Sequence, residues 1–129
     1  MRCPAEVTLQ VIGGRWKIPI LYHLFKGVKR FSELRHAIDG ISQKVLTQQL
    51  REMERHGIIQ RKVYPQVPPK VEYSLSKLGE TLRPLIDELC QWGIKYEKGE
   101  FGVDSTSGGT ESSGNSADFI LSGAETHPS

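Results

Sequence analysis

The chain has 129 residues, a quarter of them charged, with a formal net charge of +2 and two cysteines. No apolar run approaches the ~20 residues needed to cross a bilayer, and Cys3 and Cys90 are too few for a disulfide framework, so membrane-spanning and disulfide-stapled classes are excluded. All 17 lysines and arginines but only 10 of the 15 acids lie between Arg2 and Lys98, a formal +7, and the five acids beyond leave −5; a segment this basic attracts polyanions, of which nucleic acid is the commonest in a cell.

In chain order, Glu6, Gln10 and Arg15 interrupt any signal-peptide core, which makes the cytoplasm the expected location. A first helix is predicted from Pro4 to Ile12, ended by Gly13-Gly14. A second runs from Arg15 to Lys26, with Trp16, Ile20 and Leu24 on one stripe and Gly27 as terminator. Ser32 is the expected N-cap of a short third helix, and Asp39-Gly40 the turn after it. Ser42 then caps a longer helix to about His56, closed by Gly57, with Leu46, Leu50 and Met53 as its core face.

From Ile58 the period shortens to two. Ile59–Tyr64 and Val71–Leu75 read as strands joined by a stiff loop containing Pro65, Pro68 and Pro69, which a central strand would not tolerate. Leu78, Leu82, Leu85, Leu89, Trp92 and Tyr96 then recur at steps of four and three, the spacing of a coiled-coil-like seam on a single helix of about 20 residues. The last 31 residues include 13 Gly or Ser and few apolar residues, so residues 99–129 are expected to form a disordered acidic tail and residues 1–98 the folded domain. The expected fold is mainly α with a small β-hairpin: a winged helix-turn-helix, dimerised through its terminal helices.

Opposite the apolar face of the Ser42–His56 helix lie Lys44, Thr47, Gln48 and Arg51, at i, i+3, i+4 and i+7, with Gln43 beside them and Arg55 beyond. Lys and Arg match guanine, Gln matches adenine and Thr bonds to either, and these residues crowd the N-terminal half that a recognition helix inserts into the major groove. Acids enter only at Glu52 and Glu54. A solvated helix face would also be polar, but the helix-turn-helix spacing before Ser42 favours DNA. Arg61, Lys62 and Lys70 flank the hairpin tip as expected contacts to phosphate or the minor groove, or as charges that protect a sheet edge.

Several segments resemble the HxlR family of winged helix-turn-helix regulators, relatives of the MarR group. They are Cys3-Pro4, Ile12-Gly13-Gly14-Arg15-Trp16-Lys17, Arg30-Phe31-Ser32-Glu33-Leu34, the run Ile41 to Arg51, and Val67 to Leu75. The match covers about Cys3 to Lys98 and leaves the tail without a counterpart. The resemblance implies a dimeric repressor or activator that binds double-stranded DNA through the Ser42–Arg55 helix, and it supplies no small-molecule effector.

Leu82, Leu85, Leu89, Trp92 and Tyr96 are the expected homodimer interface, completed by the first helix; packing within one chain is the competing account. Two-fold symmetry then predicts half-sites ~10 bp apart. Cys3 stands next to Arg2 and before a helix N-terminus, the setting of a redox or electrophile sensor. Glu6 opposes thiolate formation there, and an incidental cysteine is the other reading. The four histidines are scattered without metal-ligand spacing, and no P-loop or nucleophile elbow occurs, so no enzyme activity, metal or cofactor is expected. A protein-interaction or RNA-binding module remains the alternative, and only Tyr64 offers an obvious stacking platform for RNA.

Overall fold

Pro4 has no backbone N–H to leave unpaired, and it opens α1 (Pro4–Ile12), which stops at Gly13. The computed structural model describes residues 3–103. In α2 (Lys17–Phe25) the residues Lys17, Ile20, Leu21 and Leu24 share one buried stripe, and Gly27 follows at a φ of 146°.

A strand absent from the sequence expectation comes next. β1 (Lys29–Arg30) pairs with Tyr73 and Glu72, and α3 (Phe31–Ala37) begins directly after it. The expected cap, Ser32, therefore lies inside α3. Sheet pairing holds Arg30 extended, and its backbone N–H donates to Glu33 Oε1 at 2.7 Å, so a carboxylate three residues on does the capping.

The helix α4 (Gln43–Arg55) has both expected ends. The Val45 N–H donates to Ser42 Oγ at 3.1 Å. At the other end Gly57 takes a φ of 79°, its N–H bonds Glu54 O at 2.9 Å, and the Ile58 N–H bonds Met53 O at 3.1 Å. That pair of bonds is a Schellman motif, and a side chain at Gly57 would strain it. β2 (Ile59–Tyr64) and β3 (Lys70–Leu75) complete an antiparallel sheet of order β1-β3-β2.

Leu34, Leu46, Leu50, Met53 and Ile58 are all at or below 1% exposure and form the core with the α2 stripe. Each contributes roughly 2 kcal/mol by leaving water.

The single helix expected from Leu78 to Tyr96 is two helices. α5 (Lys77–Glu80) is capped by Ser76 Oγ, which accepts from the Gly79 N–H at 3.0 Å, and α6 (Arg83–Glu97) starts afresh. Pro84 explains the break: it has no N–H for the Glu80 carbonyl and its ring would strike that carbonyl, so it is confined to a first turn. Leu78 thus leaves the seam. Gly79 is required because any Cβ there would overlap the Ile58 carbonyl.

The chain divides into two units, the first ending at Thr81 and the second beginning at Leu82. The second holds α6 and the turn after it. Gly99 (φ 77°) and Glu100 close α6 with bonds to Tyr96 O and Lys95 O, a second Schellman pair. Phe101 then stacks on Trp92 at 5.4 Å between ring centroids. The segment expected to be unstructured from Gly99 therefore begins with a cap and a packed aromatic, and its remainder, from residue 104, lies outside the described residues.

Candidate nucleic-acid interface

Leu46, Leu50 and Met53 pin one face of α4 to the core, so the opposite face is turned outward by necessity. Gln43, Lys44, Gln48, Arg51 and Arg55 are exposed there and Thr47 is half-buried. Ser42, the cap, is exposed at the start of the helix. The expected recognition residues are thus on one continuous surface. Its leading half holds no acid, and the unpaired N–H groups of the first turn add positive potential.

Two features frame this face. On the α3 side, Ile38 and Ile41 are each 6% exposed and anchor the turn at Gly40 (φ 80°), which sets the angle between the two helices. Arg35, His36 and Gln43 border an open hollow of about 540 Å³ at this corner. His36 Nδ1 sits 2.8 Å from Ser32 O, which fixes the ring. Arg35 and His36 are not among the contacts expected from the sequence. On the sheet side, Gln43, Thr47 and Arg51 face Arg61 and Tyr73 across a groove of about 430 Å³ that also receives Glu54.

The three hairpin cations are not one group. Arg61 pairs with Tyr73 in the sheet register and points with it toward α4, whereas Lys62 pairs with Glu72 and lies on the other face with Tyr64 and Lys70. On that outer face the Lys62 and Lys70 ammonium groups lie 4.9 and 4.8 Å from the centroid of the Tyr64 ring. The Tyr64 hydroxyl donates to Glu72 at 2.9 Å, and Lys70 Nζ is 3.3 Å from the same carboxylate. Tyr64 is therefore engaged on its edge and its faces. The Tyr64 hydrogen bond, with the Lys70 ammonium second, holds the Glu72 carboxyl below the usual range.

One residue of the site is missing from the sequence reading. Lys17 is 6% exposed, the one charged residue buried to that degree among the described residues. Its ammonium donates to Gln49 Oε1 at 2.9 Å and Glu52 Oε1 at 2.7 Å, both on α4. That hydrogen bond, then the Lys17 charge, lowers the Glu52 carboxyl from its usual range. A signal was present: Lys17 precedes Ile20, Leu21 and Leu24 at the spacing of a buried stripe.

In the second unit, Leu85, Leu89 and Trp92 are 38%, 45% and 59% exposed, Leu82 and Tyr96 half-buried, and Ile86 fully buried. Trp92 stacks on Tyr96 at 5.3 Å as well as on Phe101. Most of the expected seam is therefore not core. Cys90, on α6, is half-buried, and burial with the Asp87 carboxylate pushes its thiol up to about 11. Cys3, next to α1, is exposed. Among the described residues, no helix is long and apolar enough to cross a membrane.

Comparison with known proteins agrees with this geometry. The pattern of the HxlR-like helix-turn-helix family matches residues 11–101. The HTH-type transcriptional regulator YkvN of Bacillus subtilis is 56% identical over 99 residues, 77% of this chain and 84% of that protein. The solved structure of the HTH-type regulator YtcD is 54% identical with a TM-score of 0.69, over 74% of this chain and 97% of that one. The reduced form of the redox regulator HypR is 49% identical with a TM-score of 0.72, over 76% and 98%.

Proposed function

The chain belongs to the HxlR-like helix-turn-helix family, and we propose that it regulates transcription as a homodimer that binds a palindromic operator, with α4 in the major groove. The observation that carries this reading is the exposed, acid-free leading half of α4, opposite a face locked into the core. Gln43, Lys44, Thr47 and Gln48 are the base readers; Ser42, Arg51, Arg55 and Arg61 hold phosphates beside them, and Lys62 and Lys70 hold phosphate from the outer face of the wing. DNA binding would place its action in the cytoplasm.

The dimer contact is the exposed row of Leu85, Leu89 and Trp92 with Leu82 and Tyr96. Apolar residues of this size in sequence-adjacent turns of one helix favour a partner surface over solvent. Cys3, exposed at the start of α1, is the proposed point of redox input, a reading favoured by the likeness to a redox regulator.

The test is selection of genomic fragments by the purified chain over non-specific competitor, followed by sequencing. A shared palindrome with half-sites ~10 bp apart supports the proposal. Retention of RNA or proteins in place of duplex DNA overturns it.

A further inference from the structure

The helix that carries the proposed base readers is held to the rest of its unit by apolar packing and by a polar clamp. Apolar packing fixes which face of α4 is buried but, being non-directional, sets small rolls of the helix about its own axis less tightly. The clamp is directional. Lys17 Nζ reaches from the first residue of α2 to Gln49 Oε1 and Glu52 Oε1, which stand three residues apart on α4. Two acceptors on successive turns, fixed by one buried ammonium, define a roll angle.

The magnitude matters. Side chains of a helix end about 5–6 Å from its axis, so a roll of about 20° moves them by about 2 Å. Hydrogen bonds to a base edge tolerate only a few tenths of an ångström beyond about 3 Å. A roll of that size would separate Gln48 and Lys44 from their bases while leaving Arg51 and Arg55 able to follow a phosphate. Glu52 adds an electrostatic element, because its carboxylate borders Gln48, Arg51 and Arg55 on the DNA-facing surface. Paired with Lys17 it presents little net charge to a phosphate; unpaired it would repel one.

We propose that Lys17 is a positioning residue for sequence recognition, setting the roll of α4 through Gln49 and Glu52 and masking the Glu52 charge from DNA. The inference rests on the reading of α4 as the recognition helix, and the experiment separates the two. With the full chain, affinity is measured for the selected operator and for a random duplex, alongside thermal unfolding. Lys17→Met should lower the ratio of specific to random affinity tenfold or more, and the unmasked Glu52 should lower the random affinity by a smaller, salt-dependent factor. Loss of folded protein would reduce both affinities equally, so the ratio reports positioning and not folding.

If Lys17→Met fails to unfold cooperatively, Gln49→Met decides, since it removes one anchor and leaves the ion pair; a threefold or greater fall in the ratio is expected. An unchanged ratio in the folded variant overturns the role of Lys17 alone. A wild-type chain with no preferred sequence overturns the recognition reading itself, and this inference with it.

Discussion

The Tyr64 hydroxyl and the Glu72 carboxylate meet across the hairpin at 2.9 Å, and this bond places a negative charge among the two lysines of the wing. Lys70 partly balances it at 3.3 Å. The outer face of the wing is therefore less basic than a count of its cations implies. If it follows phosphates, Glu72→Gln should raise affinity for every duplex alike and steepen the dependence of log affinity on log salt by about one unit. Lys70→Ala should do the reverse. Titrations of a random duplex at several salt concentrations check both; slopes unchanged in both variants would remove the outer face from the DNA contact.

The Lys17–Glu52 pair predicts a pH dependence with a definite sign. The Glu52 carboxyl is held below its usual range chiefly by the Lys17 hydrogen bond. A lowered folded-state value means stability that is complete above the ordinary glutamate range and is lost as pH falls through the lowered one. Glu52→Gln should therefore be less stable than wild type at about pH 7, and the difference should be smaller at an acidic pH below the ordinary glutamate range. Denaturant midpoints at the two pH values provide the measurement. A difference that persists undiminished in acid would mean that packing and not charge distinguishes the two proteins.

How much of this was legible in the sequence depends on the range of the interaction. Ser42 and Gly57 announced the ends of α4 because caps act within one turn, and the strand Ile59–Tyr64 followed from local period and turn chemistry. β1 did not, since two residues carry no period and exist as a strand only because Tyr73 and Glu72 pair with them. The break before α6 is readable at Pro84, against a regular leucine spacing that runs across it. Arg61 and Lys62 are adjacent in the sequence, but neighbouring strand residues must face opposite ways. Lys17 was the hardest: its stripe position was visible, but its partners Gln49 and Glu52 lie more than thirty residues on and only the fold brings them near.

The two cysteines should differ sharply in reactivity. Burial and the Asp87 carboxylate raise the Cys90 thiol to about 11, so at about pH 8 only ~1 in 1,000 of its sulfurs is thiolate, the reactive form. Cys3 is exposed and so accessible to a reagent. A maleimide at limiting time should therefore add a single label, found on the peptide that contains Cys3, and Cys3→Ser should abolish this fast phase. If redox input enters at Cys3, a thiol oxidant that alters operator affinity of the wild type should leave Cys3→Ser unaffected, and Cys90→Ser should still respond. Equal labelling rates at both sulfurs would show that α6 opens readily, and a response that survives Cys3→Ser would move the sensor to Cys90.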